Sequence, residues 1–188
     1  MNPLVSKLSV RNGLIIGGIS AVLSIVFYFI NPVIAYTNFT VPILSLVIVI
    51  ALLVILGIDI RKKIGGFWTY GQAYLSLLIT SVFIIIISLL VSFLIMKLDP
   101  SLPGKISDAM IDVTTQRLQK YGMDQTQIDA ATKSLTPEKF APSVKNELIG
   151  FGGALVLYAI INLIIAACIK KNPPMFAPIV DEEPVVVE

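Results

Sequence analysis

Residues 67–96 read FWTYGQAYLSLLITSVFIIIISLLVSFLIM, an uninterrupted run of 30 residues without a single Asp, Glu, Lys or Arg. A helix rises about 1.5 Å per residue, so this stretch would reach roughly 45 Å. A bilayer's hydrocarbon core, roughly 30 Å thick, needs only about 20 such residues. The spacing therefore assigns Phe67–Tyr74 to the membrane interface and Leu75–Met96 to the crossing itself. A soluble core strand or helix of this length would carry polar residues on one face. This one carries only hydroxyls and the single amide Gln72, which marks the chain as a membrane protein.

Three more charge-free runs flank it: Gly13–Ile30, Thr40–Ile58 and Leu148–Ile169. Composition agrees, with 56% hydrophobic residues, 14% charged residues and a mean hydropathy of +0.88; soluble domains carry about 25% charged residues. The expected architecture is all-α, an integral membrane four-helix bundle with spans at about 13–30, 40–58, 75–96 and 148–169. A short helical extracytoplasmic loop, 97–147, joins helices 3 and 4. Lys7 and Arg11 before the first run, and Val33-Ile34-Ala35 after it, superficially suit a signal peptide. An h-region of roughly 7–15 residues is shorter than this run of 18, so the segment reads as a retained helix.

Orientation comes from the short loops, where Lys and Arg gather on the cytoplasmic side. Lys7, Arg11, Arg61, Lys62, Lys63, Lys170 and Lys171 all fall on one side, and the Asn31–Phe39 turn is uncharged. Both termini are thus expected in the cytoplasm. The long loop holds seven basic and seven acidic residues, a balance that leaves the rule undisturbed. Ile106, Met110, Val113, Leu118 and Tyr121 predict one helix in it. Asp124, with Gln127 three residues on, predicts the capped start of another. Residues 172–188, with Pro173, Pro174 and a run of acids, read as a disordered acidic cytoplasmic tail.

Within the spans, small and polar residues predict the contact faces. Gly13, Gly17, Ser20, Ser24 and Asn31 share one stripe of helix 1. Helix 3 carries Thr69, Gln72, Ser76 and Thr80 on one face, and Ser81, Ser88 and Ser92 on another. Gly152, Ala159, Asn162 and Ala166 align on helix 4. Helix 2 has no such stripe and is expected to face lipid most. Trp68 and Tyr70 read as an aromatic belt, Gly65-Gly66 as a tight turn, and Asp59 as the interfacial partner of Arg61.

The same residues exclude much chemistry. With no histidine, histidine bases, metal ligands and haem ligands are all absent. Cys168, the single cysteine, makes no internal disulfide. Asp108, Asp112, Asp124 and Asp129 form no recognisable metal loop, and a net charge of +2 makes no nucleic-acid surface. No catalytic, cofactor or metal residue is assigned. The expected partners are the lipid bilayer and a second membrane protein or copy of this chain.

The Gly13–Gly18 start of helix 1, the Arg61-Lys62-Lys63 turn, the Phe67–Tyr74 entry, the Tyr121-Gly122-Met123-Asp124 loop and the Lys170-Lys171 end form a combination. From about Val10 to Lys171 it resembles the bacterial membrane proteins grouped as domain of unknown function 4199. The resemblance implies a bacterial inner-membrane location and carries over no activity or site residue. Three readings remain open. One is a non-catalytic structural, accessory or interaction module. The others are a small oligomeric transporter or channel subunit and a membrane-embedded lipid-modifying enzyme.

Overall fold

A computed structural model describes residues 2–172; the tail expected at 172–188 lies outside this range apart from Asn172. Four long helices dominate: α1 (Pro3–Ile30), α3 (Thr40–Lys63), α4 (Tyr70–Leu98) and α8 (Val144–Ile169). All four are long and apolar enough to cross a membrane. A single turn, α2 (Ile34–Thr37), joins α1 to α3, and three short helices lie between α4 and α8: α5 (Leu102–Lys120), α6 (Gln125–Thr132) and α7 (Pro137–Phe140).

Each long helix overruns its charge-free stretch at one end, and side-chain caps set the starts of α1, α4 and α8. Asn2 accepts from the Leu4 N–H with Pro3 at the first helical position, so α1 begins ahead of Lys7 and Arg11. Thr69 and Gln72 form a reciprocal capping box that launches α4 inside the aromatic segment. Ser143 caps α8 through the Asn146 N–H.

The buried residues of the four long helices sit at one end. They run from Val5 to Gly17 in α1, from Val49 to Ile60 in α3, from Ala73 to Ile85 in α4 and from Asn162 to Ile169 in α8. This is the end that carries the Lys and Arg clusters. Beyond it the helices diverge, and the other end is covered by α2 and α5–α7.

Two glycines account for the tight half. A Cβ on Gly13 would lie 2.7 Å from both Phe83 Cβ and the Thr80 carbonyl oxygen, and one on Gly17 would lie 2.6 Å from Ile87 Cδ1. Only glycine lets α1 and α4 approach this closely. On α3, Gly57 plays the same part against Ile169 of α8.

One expected face is corrected. Helix 2 of the sequence, α3, is not the helix most exposed to lipid. In α8 only 11% of the most apolar window is buried, against 17% in α3. The reason is that α3 contributes a regular apolar seam, Val49, Leu53, Gly57 and Ile60, that needs no polar marker. On α8, conversely, the stripe is engaged only at Asn162 and Ala166; Gly152 faces open space.

In the cap, Asp124 and Gln127 form the capping box that their spacing predicts. Ile106 of α5 and Ile128 of α6 are buried, Ser107 donates to the Leu135 carbonyl, and Gly122 takes a left-handed φ of +76° between the two helices. Asp99 ties cap to bundle by accepting from Lys105 Nζ at 2.8 Å and from the Tyr28 hydroxyl at 3.4 Å. Arg117 stacks 4.3 Å over the Phe39 ring.

Candidate functional site

The polar residues of the spans do not form one continuous path. They divide into a seam, a buried pair and a cavity. In the seam, Ser9 Oγ and Ser76 Oγ lie 2.6 Å apart, and Ser9 also donates to the Val5 carbonyl. Thr80 Oγ1 bonds the Ser76 carbonyl at 2.9 Å and reaches the Ser9 carbonyl at 3.2 Å. Asn12 donates to the Leu56 carbonyl of α3 at 3.3 Å. The buried pair is Asn162 Nδ2 to Ser81 Oγ, 2.9 Å, across α8 and α4. Gln72, a candidate for a polar path, instead caps α4 at the exposed end.

The cavity occupies the splayed half, with a volume of about 380 Å3. Ser20 and Ser24 from α1, Ser45 from α3 and Ser88 and Ser92 from α4 line it, with Tyr158 from α8. Tyr28, Asn31 and Tyr36 stand toward its capped end. On α1 the predicted stripe therefore has two uses: Gly13 and Gly17 close the seam, while Ser20, Ser24 and Asn31 face the void. Helix α4 divides likewise, Ser81 pairing with Asn162 and Ser88 and Ser92 turning to the cavity. Ser20 Oγ is buried with no hydrogen-bond partner among the described residues.

Among the described residues no charged side chain lines this cavity. Tyr28 of the lining donates to Asp99, and hydrogen bonds from Lys105 and Ser101 hold that carboxyl down at about 2. Burial, reinforced by the charge of Glu147, pushes the Tyr36 hydroxyl above its ordinary range, so that it stays a neutral donor and acceptor. The walls offer hydroxyls to a neutral guest and supply no base to draw a proton from any serine.

At the basic end, two expectations change. Asp59 pairs with Lys63 at 2.6 Å and with Arg11 at 3.7 Å, not with Arg61. Residues four apart share a helix face, whereas two apart lie on opposite sides. Arg61 instead donates to the Ile169 carbonyl at 2.7 Å, closing the last turn of α8. Trp68 is buried, 1% exposed, and not an interfacial belt residue. Its N–H and carbonyl pair with the carbonyl and N–H of Lys171, at 2.7 and 2.9 Å, an association across more than a hundred residues that no local pattern announces. Phe67 and Tyr70 remain exposed, and Gly65 and Gly66, at φ +100° and +85°, make the tight turn.

Fold and site together define a class: small all-helical proteins of four membrane-length helices, cross-bonded at one end and hollow at the other. Within that class the chain belongs to the family described as protein of unknown function (DUF4199), whose profile matches residues 11–171. No curated protein and no solved structure matches it.

Proposed function

We propose that the protein is a non-catalytic, multi-pass module of the inner (cytoplasmic) membrane, with both termini cytoplasmic, that serves as an accessory or interaction subunit. The observation carrying this reading is the contrast between two sets of glycines. Gly13 and Gly17 are consumed inside the bundle, where added Cβ atoms would collide with α4. Gly150, Gly152 and Gly153 lie on the least covered helix, and an added Cβ at any of them would meet nothing within 4 Å. Small residues in a membrane helix favour close approach of another helix, so α8 is the face offered to a partner. The clustering of Lys7, Arg11, Arg61–Lys63, Lys170 and Lys171 at one end supports the orientation.

The test places a photo-crosslinking amino acid at Gly153, which with Gly150 lies exposed on α8, in native membranes. Capture of a membrane protein, or of a second copy, is the expected outcome. Adducts with lipid alone overturn the reading.

The cavity favours a second reading, a small oligomeric transporter or channel subunit, because a hydroxyl-lined void between the helices supplies part of a path. The Ser9–Ser76–Thr80 seam stands across the other half. Solute flux in liposomes above the protein-free background decides for the transporter. The third reading, a lipid-modifying enzyme, lacks a base beside the cavity serines.

A further inference from the structure

We infer that the splayed half of the bundle is a binding site for an uncharged, single-chain lipid whose head carries hydroxyl or ester oxygens. The site is built from both sides. Ser20 and Ser24 on α1, and Ser88 and Ser92 on α4, stand in i,i+4 pairs and so share one face of each helix; all four line the same void. A serine surrounded by hydrocarbon ordinarily bonds its own preceding turn or a neighbouring helix. Ser45 does so, donating to the Val41 carbonyl at 2.9 Å. Ser24 and Ser88 line the cavity and stay exposed, so a guest can reach them, whereas Ser20 Oγ is closed off from it. A polar group facing hydrocarbon without a partner is costly, and a guest's oxygen in the cavity removes that cost.

Charge decides the class of guest. Among the described residues no acidic or basic side chain lines the cavity, and an ionic head placed there would be desolvated without a counter-charge. Shape decides the rest. Leu23, Phe27, Leu46, Val49, Ile95 and Met96 supply apolar walls between the hydroxyls, a surface for an acyl chain rather than a free polyol. None of Thr40–Ile48 is buried, so the void lies where α3 leaves the bundle and an acyl chain can enter sideways. At about 380 Å3 the cavity lies near the low end of ligand pockets, roughly 300–1,000 Å3. That holds one small head and the start of one chain, not a two-chain phospholipid.

The test reconstitutes the full chain in phosphatidylcholine nanodiscs with a diazirine-bearing mono-oleoylglycerol and maps the adducts by mass spectrometry. Labelling is expected on residues 20–31, 41–49 and 88–96. Unlabelled mono-oleoylglycerol is expected to compete about tenfold better than oleoyl lysophosphatidic acid, which is about 1.4 kcal/mol of discrimination. Ser88→Phe fills the void and abolishes the labelling, and Ser24→Ala, which keeps the volume, weakens it about fivefold through one lost hydrogen bond. Adducts spread over lipid-facing α8 residues such as Val156 and Ile164 overturn the inference, as does equal competition by the charged lipid. Should Ser88→Phe fail to fold, Ser24→Ala and the competition series still decide. None of these readouts involves docking on α8, so the two proposals fail separately.

Discussion

Ser9 Oγ and Ser76 Oγ lie 2.6 Å apart in the buried seam between α1 and α4, and each hydroxyl is placed by a backbone the other helix nearly touches. Truncating Ser76 removes this bond and leaves Ser9 only its bond to the Val5 carbonyl, whereas truncating Ser9 removes both and leaves the Ser76 hydroxyl unpaired. Ser76→Ala is expected to cost about 1 kcal/mol, toward the upper part of what membrane hydrogen bonds give, roughly 0.6 on average. The double variant with Ser9→Ala should cost less than the sum of the two. A denaturation series in mixed micelles measures this coupling; strict additivity would mean the two hydroxyls do not bond.

Gly13 and Gly18 make opposite predictions in the same helix. Alanine at position 13 would set its Cβ 2.7 Å from the Thr80 carbonyl oxygen and Phe83 Cβ, atoms near the α4 backbone that cannot swing away. Gly13→Ala should lower stability by about 1–3 kcal/mol, the range of overpacked sites. At Gly18 nothing lies within 4 Å, so Gly18→Ala should raise stability by about 0.5–1 kcal/mol through helix propensity alone. Thermal unfolding of the two variants side by side checks the signs.

The helix 1 stripe shows how far the sequence could be read. Its period is visible in Gly13, Gly17, Ser20 and Ser24, because a helix repeats every 3.6 residues whatever it packs on. Invisible is the change of use along it. Gly13 and Gly17 meet Phe83, Thr80 and Ile87 of α4, while Ser20 and Ser24 line the cavity, and residue type alone does not mark where one gives way to the other. The same holds for Trp68, whose flanks look interfacial while its actual partner, Lys171, comes from the far end of the matched segment. Asp59 is different: its i,i+4 relation to Lys63 was open to inspection, and the nearer neighbour Arg61 was simply on the wrong face. Helix α3 lacks small or polar markers, and an all-aliphatic seam such as Val49–Leu53–Ile60 is indistinguishable from a lipid-facing one by residue type.

The Asp99 junction carries a pH dependence of definite sign. Its carboxyl falls from an ordinary 3.8 to about 2 in the folded chain, first through the hydrogen bond from Lys105 and then through that from Ser101. A carboxyl held low by folding stabilises the fold above its unfolded value, and that contribution fades as pH drops through the folded one. Amide exchange in the first turns of α5 should therefore accelerate between about pH 4 and pH 2. Asp99→Asn should remove the dependence while leaving exchange in the seam, at Ser76 to Thr80, unchanged.

Arg61 is predicted to hold the end of α8. Its guanidinium donates to the Ile169 carbonyl at 2.7 Å, one of the four carbonyls that a helix's last turn leaves without an internal partner. Arg61→Ala should speed amide exchange from Ala166 to Lys171 and loosen the Trp68–Lys171 pairing, seen as a red shift in the emission of the chain's only tryptophan. Arg61→Lys should restore part of it, since an ammonium keeps the charge but loses the planar fork. Unchanged emission in Arg61→Ala would show that the Trp68 pairing stands without the arginine.

The orientation proposal can be tested with two engineered thiols. Four crossings return the chain to the side it started from, so Asn172 shares a side with Lys7 and the cap lies opposite. Tyr121, 80% exposed at the end of α5, and Asn172, exposed beyond α8, are suited to replacement by cysteine. Cys168→Ser first removes the one native thiol, itself exposed. With basic residues retained on the cytoplasmic side, a membrane-impermeant maleimide should label Tyr121→Cys on intact cells stripped of any outer barrier. Asn172→Cys should react only after permeabilisation. Labelling of both thiols on intact cells would mean an odd number of crossings lies between Lys7 and Asn172 or that the chain does not span at all. The reverse pattern would place the basic end outside.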